Sequence, residues 1–166
     1  MSMIGEYFRM TEAELERAIG DPDWALSHVE ETADADEESE LSPAEARHFS
    51  THQTWHLLDF LLRRSEFPVN VVHGEEPLGE ADDWGYGPPR YLPPDRVRLG
   101  ARALSRLTYD QLLDGIDPQE LVAAEIYPLG WDDRASLEWG RDWFADLQKY
   151  LTAAAEAGHA VIIWLD

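Results

Sequence analysis

"DRASLEWGRDWFADLQKYLTAAAEAGHAVIIWL", Asp133 to Leu165, decides how this chain is organised. Up to Ala157, the residues Leu137, Gly140, Phe144, Leu147, Leu151 and Ala154 recur at three- and four-residue steps. They share one face of a helix, with Trp143 and Tyr150 on its flanks. Gly158 offers a left-handed stop. His159 to Leu165 is then apolar without alternation, the pattern of a strand covered on both faces. Such a strand needs neighbours beside it and helices over it. The predicted fold is mixed α/β (α+β): one domain, residues 1–166, with a small mixed sheet packed against several helices.

Working outward, Met3–Met10 carries Ile4, Tyr7, Phe8 and Met10 and reads as a first strand. Thr11 and Glu14 have capping-box spacing, opening a helix that stops at Gly20-Asp21-Pro22. From Val29 to Glu45 the chain holds eight Asp and Glu and little apolar matter, so an acidic, solvated loop is predicted. "STHQTWHLLDFLLRRS" follows, with Ser50 or Thr51 as cap and Trp55, Leu58, Phe60, Leu61 and Leu62 on nearly every side of a buried helix. Phe67–Gly74 is β-branched and bounded by Pro and Gly, which predicts a second strand. Prolines and Asp95 open the next helix, "TYDQLLDGI" a short capped one, and Asp117-Pro118-Gln119-Glu120 another.

Composition narrows the function classes. With 44% hydrophobic and 11% aromatic residues, the 166-residue chain is rich enough to build a core. Its formal charge of −21 and single lysine, Lys149, argue against nucleic acid and anionic membranes as partners. A basic protein, or a small cationic or anionic ligand, is the expected kind of partner. There is no cysteine, so disulfides, thiolate catalysis and Cys-ligated zinc are excluded. Without an apolar run of roughly 18 residues or a signal-peptide pattern, a soluble cytoplasmic protein is expected. No G-x-x-x-x-G-K-[ST], G-x-G-x-x-G or G-x-S-x-G occurs, so no cofactor and no serine nucleophile is predicted.

The chemistry-bearing residues are few. His48, His52 and His56 fall at four-residue steps around one helix, a spacing that can place two imidazoles on one face as metal-ligand pairs require, but without the glutamate of H-E-x-x-H no metal site is predicted. "DDWGYGPPRYLPPD", Asp82–Asp95, combines flexible glycines with four stiffening prolines and sets Arg90 between Tyr86 and Tyr91. That guanidinium is suited to forking onto an anion, or to pinning the loop onto Asp82, Asp83 or Asp95. "AEIYPLGW", Ala124–Trp131, presents Tyr127 and Trp131 on a tight turn. Two functions follow from these features. One is a non-catalytic acidic protein that binds a basic partner, as immunity or adaptor proteins do. The alternative is a small-molecule binder or enzyme with a pocket of Trp55, His56, Tyr86, Arg90, Tyr91, Tyr127 and Trp131. There His56 would be the acid–base group and Arg90 the anion clamp.

The segments "MSMIGEYFRMTEAEL", "TWHLLDFLL", "GYGPPRYLPPDRV", "AEIYPLGW" and "AAAEAGHAVIIWLD", in that order, resemble the YfbM-like family of small bacterial proteins with a domain of unknown function. The resemblance implies a single cytosolic domain of mixed α/β structure and no particular activity. Family members often carry Lys and a second His in the "TWHLLDFLL" helix, where this chain has Gln53 and Asp59. A scheme that needs both histidines of that helix is therefore not available here.

Overall fold

A computed structural model describes residues 2–166. The elements in chain order are β1 (Gly5–Met10), α1 (Glu12–Gly20), α2 (Pro22–Glu38), β2 (His48–His52), α3 (Trp55–Arg64), β3 (Glu76–Pro77), β4 (Arg90–Leu92), α4 (Pro94–Ser105), α5 (Tyr109–Leu113), α6 (Pro118–Ala123), α7 (Arg134–Leu137), α8 (Gly140–Glu156) and β5 (Ala160–Leu165). The strands form one sheet in the order β2-β1-β5-β4-β3. Every pairing is antiparallel, so the mixed α/β architecture stands with an antiparallel sheet at its centre.

β5 is the middle strand, and its lack of alternation now has a cause. Val161 and Ile163 point into the larger core, made with α3, α4, α5 and α8, while Ala160 and Ile162 point into a second core. The second core joins Phe8 and Met10 of β1 to Leu15, Ala18, Ala25 and Val29 of α1 and α2, closed by Leu78 and Trp84. Helices thus cover both faces, and a strand between two apolar layers has no polar side to show.

The acidic stretch is where the sequence reading needs correcting most. Most of residues 29–45 is not a loop: α2 runs to Glu38. Asp21 accepts the Trp24 N–H at 3.1 Å and Pro22 sits in the first turn, so the helix start is well made. Ala25 and Val29 are buried and Ala33 is half-buried, a stripe of small side chains at four-residue steps. The carboxylates project from the other side. At its far end Asp36 accepts the backbone N–H groups of Arg47 at 2.8 Å and His48 at 3.0 Å, which ties the helix to β2.

Three further expectations change. His48 and His52 lie on β2, not on the helix of His56, so the three imidazoles form no helical row. Phe67–Gly74 is not a strand: Asn70 Oδ1 accepts the His73 N–H and the Asn70 carbonyl accepts the Gly74 N–H, folding the segment into turns. Its valines 69, 71 and 72 are buried all the same. The C-terminal helix is broken in two after Leu137, whose carbonyl accepts the Tyr109 hydroxyl at 2.5 Å. Gly140 is required there, because a Cβ would lie 2.4 Å from that hydroxyl and 2.9 Å from Leu57 Cδ2.

Glu14 joins the second core to the sheet. Its carboxylate accepts the Thr11 N–H and meets Arg47 and His28 at 2.6 Å each. Partial burial opposes ionisation, but the bonds from Arg47, Thr11 and His28 together lower its pKa to about 2. The folded value lies below the unfolded one near 4.3, so the stabilisation is complete above that pH and fades as pH falls toward 2. Glu14→Gln should cost about 1–3 kcal/mol at neutral pH. Urea titrations of both proteins should converge by about pH 2; a gap that persists there would assign the loss to packing instead.

Candidate functional site

α3 begins with the aromatic group that the sequence singled out. Trp55 stacks on His56 with ring centroids 4.8 Å apart and on Tyr127 at 5.9 Å, and the His73 ring meets it edge-on at 5.7 Å. Trp55 Nε1–H donates to the Met3 carbonyl at 3.0 Å, while Tyr127 Oη accepts the Met3 N–H at 2.9 Å. Trp131 is buried and donates its Nε1–H to the Tyr127 carbonyl at 3.4 Å, with the exposed Trp139 stacked on it at 5.5 Å. Trp55, His56, Tyr127 and Trp131 therefore do come together.

His56 is not placed as an acid–base group. Its Nδ1 accepts the Tyr127 N–H at 2.8 Å, so the lone pair is used and the proton resides on Nε2. Burial lowers its pKa, and the nearby His73 and Arg63 add to this against the pull of Asp59. The unfolded chain thus takes up a proton first, and this contribution to stability is complete above about pH 6.5 and declines below it. The difference in urea midpoint between about pH 7.5 and pH 5 should be smaller in His56→Gln than in wild type. An equal difference would mean that other groups carry the whole effect.

The imidazole that faces a cavity beside this cluster is His73, which the sequence reading passed over. Its Nε2 lies 3.7 Å from Asp59 Oδ2, and the same oxygen takes Arg63 Nε at 2.9 Å. Burial raises the pKa of Asp59, but His73 and Arg63 outweigh it and hold the carboxyl below its ordinary value. The signal was present as "VVHG", a histidine between valines and a glycine. It was hidden because the stretch resembles a strand, and because nothing local marks Asp59 as its neighbour.

His73 forms part of a cavity of about 320 Å³ at the C-terminal end of β5, with Val72, Tyr86, Arg90, Ile163 and Leu165 among its walls. The glycine–proline loop holds this wall in place. Trp84 N–H bonds to the Gly87 carbonyl and Tyr86 N–H to the Leu165 carbonyl, both at 2.8 Å. Gly85 adopts φ +77, and a Cβ there would meet the Leu165 carbonyl oxygen at 2.6 Å. Arg90 binds neither Asp82, Asp83 nor Asp95. Its guanidinium donates to the backbone carbonyls of Gly74 and Glu75.

Tyr91 does not join this wall. Arg90 pairs with Ile163 and Tyr91 with Ile162, and adjacent strand residues point to opposite faces. Tyr91 accordingly packs against the second core. The seven residues expected to form one pocket are thus distributed between the aromatic cluster on α3, the cavity of Tyr86 and Arg90, and the far face of the sheet. His73 is the contact between the first two.

A second hollow of about 520 Å³ runs along β2, an edge strand, between α2 and α8. Glu6, Asp34, Asp36, Glu37, Glu40 and Asp146 line it, with Trp143, Leu41 and Phe49 as its apolar part. Its only ionisable bases among the described residues are His48, paired with Glu6, and His52, whose ring lies 4.6 Å from that of Trp143.

These features define an antiparallel α/β protein with two surface hollows of opposite character, one acidic and one carrying an arginine and a histidine. Residues 1–164 match the family model described as Domain of unknown function (DUF1877), and the chain belongs to that family. Among solved structures, the crystal structure of a protein of unknown function, YfbM from Escherichia coli, is similar with a TM-score of 0.62. Its identity to this chain is 15%, and the match covers 98% of this chain and 99% of that one. The likeness is one of fold and agrees with the YfbM-like resemblance of the sequence segments. No curated protein matches the sequence. No helix among the described residues is long and apolar enough to cross a membrane.

Proposed function

We propose that this is a non-catalytic binding protein whose acidic groove along β2 receives a basic segment of a protein partner. One observation carries the reading: six carboxylates and Trp143 line a single groove that no lysine or arginine enters. Asp34, Glu37 and Glu40 are exposed and make no ion pair among the described residues, so their charge is free to act on a ligand. A lysine or arginine entering there would meet several negative charges and an aromatic face, and the net charge of −21 would speed its approach. Asp36 already occupies the N–H groups of Arg47 and His48, so recognition rests on side-chain charge more than on strand addition.

The test is fluorescence anisotropy with a labelled peptide rich in Lys and Arg. Affinity should fall as salt rises between about 50 and 300 mM. It should fall about tenfold in the pair Asp34→Lys and Glu37→Lys. The exposed pair Asp82→Lys and Asp83→Lys makes the same charge change outside the groove and should have a much smaller effect. Equal losses in both pairs would reduce the binding to net charge and overturn the reading.

A further inference from the structure

The cavity under the Trp84–Pro88 loop has a property unusual for so acidic a chain. It is bordered by an arginine and a histidine and by no carboxylate side chain, whereas four further hollows each carry at least one Asp or Glu. The Arg90 guanidinium has no carboxylate at ion-pair distance among the described residues. Arg47, Arg63, Arg64, Arg96 and Arg141 have one, and several surface arginines do not; what distinguishes Arg90 is that it lines a cavity without Asp or Glu, whereas Arg98 and Arg102 share theirs with Glu156. The Gly74 and Glu75 carbonyls take Nε and Nη2 of Arg90, which fixes the plane of the group without neutralising it, and Nη1 makes no hydrogen bond to a described residue. A positioned, unneutralised guanidinium is the arrangement that binds an anion with little ordering cost.

The remaining walls say what the anion is attached to. Val72, Ile163, Leu165 and Pro88 are apolar, and Tyr86 adds a ring at the mouth, 46% exposed. Its volume of about 320 Å³ lies at the small end of ligand pockets. Apolar walls favour a ligand that brings its own apolar surface and disfavour a fully hydrated ion. His73 lies between this cavity and Asp59, whose Oδ2 is 3.7 Å from its Nε2.

We propose that this cavity is a binding site for a small organic anion, a monocarboxylate with an apolar body, held by Arg90 and His73 at its head and by Val72, Ile163 and Leu165 along its body. The site is independent of the acidic groove, with which it shares no lining residue, and it takes a ligand of the opposite charge.

The experiment is an NMR titration of the intact protein with benzoate, benzyl alcohol, benzylammonium and inorganic phosphate. Benzoate should give saturable shifts at the Tyr86, Gly87 and Arg90 amides and at a Trp164 resonance, with dissociation constants within reach of about 20 mM ligand. The neutral alcohol and the cation should bind at least about tenfold more weakly. Arg90→Met should weaken benzoate about tenfold or more. Because Arg90 also anchors Gly74 and Glu75, the titration is repeated with His73→Gln, which leaves those bonds intact and should still weaken benzoate. No saturable shift with benzoate, equal binding of benzyl alcohol, or unchanged affinity in both variants would overturn the proposal. Phosphate binding as tightly as benzoate would overturn the apolar-body assignment.

Discussion

Trp55→Ala is expected to remove about 3–5 kcal/mol of stability, the range for deleting a buried large aromatic side chain. Trp55 is 7% exposed and is the residue on which His56, Tyr127 and His73 all converge. Its loss opens a void under three rings and leaves the Met3 carbonyl without its indole donor. Little backbone can collapse into the space, since Gly5 already packs so closely that a Cβ there would lie 2.9 Å from Trp55 Cβ. A domain of this kind has roughly 5–15 kcal/mol in total, so the variant should sit near the edge of folding at ambient temperature. Urea denaturation followed by circular dichroism measures it. A loss below about 1 kcal/mol would mean the cluster is mobile or solvated, not packed.

Phe8→Ala tests the other face of the sheet and is expected to cost a similar amount, about 3–5 kcal/mol. Phe8 is fully buried among Leu15, Ala25 and Val29, with the His28 ring edge-on at 5.7 Å and the Arg47 guanidinium over its ring at 5.2 Å. The consequence should be uneven. α2 carries many carboxylates and a thin apolar stripe, and helices of its length are marginal in water without a surface to pack on. Hydrogen exchange should therefore show α2 amides losing protection before those of α8. Uniform loss across both helices would indicate that the two faces unfold as one unit.

These two variants also mark where the sequence could be read and where it could not. The Trp55 side was legible: Trp55, Leu58, Leu61 and Leu62 are large, closely spaced residues whose burial needs no knowledge of a partner, although Phe60, read with them, is only partly buried. The Phe8 side was not legible at α2, because Ala25, Val29 and Ala33 are too small for their period to stand out among eight acidic residues between Glu30 and Glu45. What makes those small side chains a buried stripe is the β1 surface opposite them. β2 and β4 were missed for a related reason. Five- and three-residue strands that carry His, Ser, Arg and Tyr become strands by pairing with β1 and β5, and that pairing has no local signal.

The candidate site divides along the same line. Arg90 was found from its setting among glycines and prolines, and Trp55, His56, Tyr127 and Trp131 from their aromatic turn and helix. That Tyr91 faces away follows only once Arg90 and Tyr91 are known to lie on a strand. That His73 and not His56 borders the cavity follows only from the turn at Asn70, which brings residues 14 positions apart, Asp59 and His73, within 3.7 Å.

By itself the sequence determined the elements whose stabilising contacts are local. These are the capping boxes at Thr11 and Thr108, the proline-led helices at Pro94 and Pro118, the left-handed stop at Gly158 and the doubly apolar strand that becomes β5. It also determined the charge. Only the tertiary structure decided which carboxylates share a groove, which side of the sheet each loop residue meets, and that one arginine keeps its charge unneutralised beside an apolar cavity. Those properties depend on distances between residues far apart in the chain, and a linear pattern holds no record of them.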